Sequence, residues 1–352
     1  LKDSTELTYQ ACKGIRPYRT PIYDLLTNDA VIEHFGGHLL DGIQDQQTAI
    51  IAAANALDCT RYVNPPNKIG DTYTDDLGNV WVLDRWTGWI HHHALTTIED
   101  WKNQVVKVIE QTENQSFPTP EDSKIVAKEQ QQLIAKLGGT SFIHCTPSTA
   151  INSALFGGCG LEIFSYLWED ERELTLRWLR ALELGRSMYI ETAAHAENCQ
   201  LAVIYSDVAY KQRLMFSREM FNEMGFFDDV AAICAQCHKK GLTVIFHSDG
   251  YIMDIMPDLI AAGIDGINPI EVAAGMDVYE LRNLYPELIL AGGLDVTHLL
   301  PFGTPDEIRT ETRRMINEVG SEGRLLIGSS TELENNVPLD NYMAFYDEAM
   351  KG

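Results

Sequence analysis

Long apolar runs are missing from this 352-residue sequence. None approaches the roughly 20 residues that a membrane-spanning helix needs. The first residues, LKDSTELTYQACKG, also lack the basic-then-apolar order of a secretory signal. The expectation is a cytoplasmic protein. Basic residues are scarce too: 27 Lys and Arg stand against 51 Asp and Glu, a formal charge of −24. Such a chain repels phosphate backbones and anionic membranes at long range, and its densest basic stretches are only Arg313-Arg314 and His238-Lys239-Lys240. Nucleic-acid binding is excluded on that ground. The cysteines at 12, 59, 145, 159, 199, 234 and 237 are odd in number and scattered, which suits free thiols and not a disulfide framework. Linkers, low-complexity tracts and short repeats are absent, so one domain over 1–352 is expected.

What the chain does have is alternation. Short apolar runs ending in Asn, Asp, His or Ser are followed by longer stretches with helical spacing, and runs of that kind read as buried parallel strands. The candidates are Thr20–Tyr23, Cys59–Asn64, Thr140–His144, Leu201–Tyr205, Thr243–His247, Gly266–Ile270, Leu288–Ala291 and Leu325–Ser329. Eight such runs predict a closed (β/α)8 barrel of the TIM type. Helices are predicted from Asp29, over Pro120–Leu137, over Gly160–His195 as two helices, and over Ser217–Lys240, Tyr251–Ala262, Asp277–Leu284 and Pro305–Val319. Ser217 and Thr304 stand where N-caps belong, with Pro305 at a first helical position, while cations and Gly241 close the helix from Ser217. One segment breaks the alternation. Asp71–Asp84 has a two-residue period around Leu77-Gly78-Asn79, hence a β-hairpin inserted after the second strand.

A barrel of this type carries its chemistry at the C-terminal ends of the strands. The polar residues there are Asn64, His144 and Cys145, Asp207, His247 and Asp249, Glu271, Asp295, and Ser329 and Ser330. The stretch Phe246-His247-Ser248-Asp249-Gly250 stands out, because a histidine and a carboxylate meet where a strand becomes a loop. With carboxylates from other strands they could hold a divalent cation such as zinc, or work as proton donor and acceptor. They could equally be a hydrogen-bonded strand end and a helix cap.

Three other motifs read as structure. Cys234-Ala-Gln-Cys237-His238 has haem-attachment spacing, but Val230, Ile233, Cys234 and Cys237 form one apolar helical stripe, which predicts a face packed on the barrel. His91-His92-His93 would point alternately to opposite sides of an extended chain, so at most two could meet one ion. Phe156-Gly-Gly-Cys-Gly160 lacks both the Lys-Ser/Thr of a phosphate loop and dinucleotide spacing, and reads as a loop before a helix near Leu161.

From Asp207 onward the chain resembles the uroporphyrinogen decarboxylase superfamily. The stretches that carry the resemblance are Met215–Phe221, Phe246–Gly250, Asp265–Glu271, Ala291–Asp295, Gly303–Glu307 and Leu326–Ser330 with Val337-Pro338 beyond. Lys13–Ile22 and Asp76–Trp81 are similar as well. The resemblance implies a distorted (β/α)8 barrel, often dimeric, in one of two groups: porphyrinogen decarboxylases that use no metal, or zinc-dependent methyltransferases that exchange a methyl group with a corrinoid protein. The decarboxylases carry arginines just after the first strand and an aspartate after the second. Here those places hold Tyr23–Asn28, without arginine, and Asn64-Pro65-Pro66. The thiol methyltransferases hold zinc with H-x-C and a distant cysteine, positions occupied here by His247, Asp249 and Ser329.

The resemblance therefore implies a demethylating enzyme, with a small methoxylated or methylated compound giving its methyl group to Co(I) of a corrinoid carried by a partner protein. On that reading His247, Asp249 and Glu271 hold the cation or deliver a proton, and Asp207 and Asp295 orient them. Asn64, Trp89, His144, Tyr210, Phe246, Ser329 and Ser330 are the candidate pocket residues. The alternatives are a metal-free decarboxylase or lyase in which His247 protonates a carbanion, and a non-catalytic binding subunit.

Overall fold

The computed structural model describes residues 4–40, 46–114, 128, 131–192 and 199–352, with backbone only at 187–192. Seven strands form one parallel sheet in the order Leu325–Leu326, Ile289–Ala291, Gly266–Asn268, Thr243–His247, Leu201–Tyr205, Ser141–Cys145 and Cys59–Thr60. The ring is completed by two single bridges, Ile22 to Ile327 and Tyr23 to Cys59. The result is a nearly closed, TIM-like α/β barrel. All eight apolar runs lie in it, but the first contributes only those bridges and the second stops at Thr60 instead of Asn64. Pro65 and Pro66 have no N–H to give a ladder, and the chain leaves for the insertion there.

Strand alternation sorts the side chains. Leu201, Val203, Ile245, Ile289, Ala291 and Leu326 fill the barrel interior with Tyr23, Cys59 and Ile143. Ala202, Ile204, Val244, Phe246, Ile267 and Leu290 face the helices and join the larger outer core. A one-residue slip would exchange the two sets.

The seam between the first and last strands is closed by Asp24. This fully buried carboxylate accepts from Ser329 N at 3.0 Å, Ser329 Oγ at 2.7 Å and Leu25 N at 2.9 Å. Beside it, Gly328 packs so closely that a Cβ would stand 1.7 Å from the Tyr23 carbonyl oxygen. The opposite end of the barrel is tied by Arg19, whose Nη2 donates to Asp58 Oδ1 at 2.8 Å, and by Ser4, whose Oγ donates to the same oxygen at 2.6 Å.

The insertion is larger than a hairpin. Thr72–Thr74 and Val80–Leu83 pair antiparallel as expected, and Gly88–His92 adds a third strand to Val80–Leu83. The Ser217–Lys240 stretch is two helices, Arg218–Glu223 and Phe226–Lys239, because Gly225 takes a left-handed conformation between them. Ser217 caps the first through Met220 N, and Thr304 forms a reciprocal capping box with Glu307 at the helix Pro305–Glu318. Cys234 and Cys237 are buried on Phe226–Lys239, on the expected apolar stripe. Glycines 157 and 158 sit in a π-turn, Leu155–Cys159, that leads into the helix Gly160–Asp170; the next helix is Arg172–Thr192. Of the predicted helix Pro120–Leu137, positions 131–136 are helical, and most of its N-terminal part lies outside the described residues, as does His195. No helix among the described residues is long and apolar enough to cross a membrane.

Replacing Gly328 by Ala drives a methyl group into the Tyr23 backbone. Urea unfolding of Gly328→Ala should show a loss of about 3 kcal/mol or more, at the upper end of overpacking costs. Wild-type stability in that variant would mean the seam is not as tight as described.

Candidate functional site

At the end of Thr243–His247 the chain turns through Ser248, Asp249 and Gly250, and each residue has a separate task. Phe246 points outward and packs on Phe226, with ring centroids 6.2 Å apart. His247 points inward at the level of its ladder partners Tyr205 and Asn268. Ser248 N donates to Asn268 O at 3.1 Å, and its hydroxyl accepts from Val208 N at 3.1 Å, so the turn is fastened to both neighbouring strands. Asp249 N then donates to Asp207 Oδ1 at 3.1 Å, and Gly250 N to Glu271 Oε2 at 2.6 Å. Gly250 has φ +86°, and a Cβ there would come within 2.7 Å of Ala209. Only glycine fits that turn.

These bonds collect charge at the mouth of a cavity of about 620 Å³, on whose wall lie Arg61, Tyr205, Asp207, His247, Asp249 and Glu271. Asp207, His247 and Asp249 each offer a ligand atom within 4.8 Å of the other two, and His247 Nε2 lies 3.7 Å from Asp207 Oδ1. Donors on a tetrahedral zinc ion stand about 3.3 Å apart, so small rotations would bring this nitrogen and oxygen to bonding distance. The set of one imidazole and two carboxylates suits zinc or another borderline cation.

The imidazole is held neutral. Burial, and then the Arg61 guanidinium with Nη1 2.9 Å from Nδ1, keep the His247 pKa well below its usual value. Nδ1 also stands 3.1 Å from Asn268 Oδ1, and Asn268 is oriented by donating its Nδ2 to Ala291 O at 3.0 Å. When Nδ1 accepts from Arg61 the proton sits on Nε2, facing Asp207; a metal ion on Nε2 would require the proton to sit on Nδ1 and be donated to Asn268, with Arg61 Nη1 keeping only its bond to the Asn268 oxygen. Arg61 Nη1 donates to the same Asn268 oxygen at 2.8 Å, and the guanidinium lies over the Tyr205 ring, 4.8 Å from its centroid. Arg61 Nε is buried without a partner, an arrangement that costs about 1–3 kcal/mol.

Asp249 opens to the water of the cavity but is walled by protein. That desolvation, with the charges of Asp207 and Glu271, pushes its carboxyl up to about 7. Asp207 and Glu332, mostly shielded from solvent, are raised as well, in both cases chiefly by burial.

Of the residues singled out from the sequence, His247, Asp249, Asp207, Glu271 and Tyr210 line this cavity. The third member of the His247 and Asp249 group is Asp207; Glu271 is engaged by Gly250 N and stands outside the group. Asp295 is elsewhere: it accepts from Thr297 N and His298 N and lines a separate depression of about 710 Å³ with Asp277, Tyr279 and Arg314. Asn64 does not line the cavity, because the strand ends four residues earlier. Trp89 is 68% exposed on the inserted sheet, whose contribution to the cavity is Thr87. His144 and Phe246 are buried in strands and contribute no wall. Ser329 is bound to Asp24, and Ser330 accepts from Val296 N at 3.2 Å. Arg61, Tyr62, Tyr205 and Glu332 were not anticipated. Arg61 and Tyr205 stand at true strand ends, and extending the second strand to Asn64 hid the first of them.

A (β/α)8 barrel with a histidine and carboxylates gathered at its C-terminal mouth defines the class. A profile for uroporphyrinogen decarboxylase (URO-D) matches residues 170–351, and the chain belongs to that family. Among solved structures, a methyltransferase from Methanosarcina mazei is similar over 99% of this chain and 98% of its own, at 12% identity and a TM-score of 0.65, which supports the fold. Dispersin B (13% identity, 64% of this chain and 74% of that one, TM-score 0.32) and a uronate isomerase from Bacillus halodurans (10% identity, 99% and 86%, TM-score 0.30) are too distant to carry an argument. No curated protein matches the chain.

The titration of Asp249 has a definite sign. Its folded pKa is raised, so its contribution to stability is present below the unfolded pKa near 4 and is lost as pH rises through about 7. In metal-free protein, the wild type should lose stability relative to Asp249→Asn between about pH 4 and 7. Urea midpoints measured across that range check it, and parallel curves would place the Asp249 pKa near its ordinary value.

Proposed function

We propose that the protein is a corrinoid-dependent methyltransferase of the demethylating kind, acting on a small methoxylated or methylated compound. The observation that carries the reading is the convergence of Asp207, His247 and Asp249, with the imidazole neutral and its Nε2 toward the carboxylates, at the mouth of a cavity of about 620 Å³. The family and the methyltransferase-like fold agree with it.

The chemical obstacle is a poor leaving group. An alkoxide, phenoxide or amine must be stabilised as its bond to methyl breaks. Zinc held by Asp207, His247 and Asp249 would supply that stabilisation as a Lewis acid. The protein's own groups do the rest. Asn268 fixes the imidazole orientation, the Asp249 amide fixes the Asp207 carboxylate, and the Gly250 amide holds Glu271 beside them. Tyr62 and Tyr205 supply flat walls on which a small ring can lie, and Tyr210 stands at the rim. The acceptor is Co(I) of a corrinoid on a partner protein that approaches the open mouth.

A metal-free lyase is the second reading, and the Asp249 carboxyl near 7 favours it, since a half-protonated acid can deliver a proton to a carbanion. His247 is the wrong acid for that step, being neutral at physiological pH.

Purified protein should contain near-stoichiometric zinc, and His247→Ala should lose the metal and at least about a hundredfold of kcat/KM for methyl transfer to reduced cobalamin from a panel of methoxyaromatics and methylamines. An active, well-folded protein without metal would discard this reading in favour of the lyase. Ligand binding without turnover on any substrate would favour a binding subunit.

A further inference from the structure

Three arginines among the described residues are almost wholly buried, and two have their own carboxylate. Arg19 is paired with Asp58, and Arg186 with Asp229. Arg61, 4% exposed, is the exception: no carboxylate among the described residues forms an ion pair with it. Its Nη1 donates to the neutral Asn268 Oδ1 at 2.8 Å and lies 2.9 Å from the neutral His247 ring at Nδ1. Nε is buried with no acceptor, and Nη2 makes no hydrogen bond among the described residues. Asp207, Asp249 and Glu332 act on this charge across the cavity without bonding to it, so a buried guanidinium with unfilled donors stands in the cavity wall, which is costly in a folded protein.

We propose that the substrate supplies the missing acceptor, and that Arg61 selects a small compound bearing one carboxylate. The inference rests on the cavity being the substrate site. A carboxylate is the planar, two-oxygen partner that a guanidinium edge recognises best, and the Tyr62 and Tyr205 rings, centred 5.6 and 4.8 Å from the guanidinium carbon, give a flat ligand aromatic walls beside it. The surrounding acids decide when the anion can enter. Asp207 and Asp249 repel it while they are bare, whereas a dication between them takes up their charge and leaves Arg61 freer to attract the anion. Carboxylate and dication must therefore strengthen each other's binding by the same factor.

The test is calorimetric binding to the full chain loaded with zinc, using two pairs of probes equal in shape: 4-methoxybenzoate with 4-methoxybenzamide, and methoxyacetate with methoxyacetamide. In at least one pair the carboxylate should bind about tenfold or more tighter than its amide, and chelating the zinc should weaken the carboxylate more than the amide. Arg61→Gln, compared at matched zinc loading and with circular dichroism as in wild type, should erase the preference, and Arg61→Lys should restore part of it. A merely structural role for Arg61 would weaken acid and amide alike. Equal affinities within both pairs, no binding by any probe, or a preference that survives in Arg61→Gln would overturn the proposal. If Arg61→Gln fails to fold, the wild-type pairs still decide. The readout needs no cobalamin: a carboxylate preference without methyl transfer removes the reaction proposed above and leaves this inference, while equal methyl transfer from acid and amide does the reverse.

Discussion

Two consecutive backbone amides organise the mouth of this barrel. Asp249 N–H takes a carboxylate from the strand on one side, Asp207, and Gly250 N–H takes one from the strand on the other, Glu271. Two acids that would otherwise swing away are held beside Asp249 by donors that belong to the backbone. The arrangement is possible because Gly250 turns the chain through a left-handed conformation against Ala209, a place no larger residue can occupy.

Charge is balanced on a second level beneath that rim. Arg61, Tyr205, His247 and Asn268 form a stack in which the cation lies over one ring and beside the other. Burial, and then the guanidinium, keeps the imidazole neutral, and the amide of Asn268 lies against it. A protonated histidine would favour the acids as partners in an ordinary ion pair; a neutral one leaves them free for a cation. In a chain with formal charge −24, a buried arginine that forms no ion pair among the described residues is a specific choice, and it gives the cavity a cationic floor under an acidic rim.

Much of this was legible in the residues. The eight apolar runs all found places in the barrel, because parallel strands buried on both faces demand such runs; Phe246, named for the pocket beside His247, alternates to the opposite face and packs on the helices instead. The capping residues Ser217 and Thr304 sat where expected. Strand ends were read less well. The run after Cys59 stays apolar enough to suggest a strand to Asn64, whereas the ladder stops at Thr60 and turns Arg61 into the interior. Asp295 was drawn into the candidate site by its place after a strand, but its carboxylate caps the turn that follows it. Glu271 and Asp207 exchanged roles for a similar reason: both follow neighbouring strands, and only the direction of the backbone amides distinguishes them.

Local order and hydrophobic period determined the barrel, its caps, its insertion and the presence of a histidine with a carboxylate at a strand end, since those features depend on residues close together in the chain. Which acid meets His247, and that an arginine 186 positions away lies against its Nδ1, was decided by tertiary structure. Ring closure brings separate strand ends to one level, and the spacing of side chains across it is a property of register and tilt that no single stretch of sequence contains.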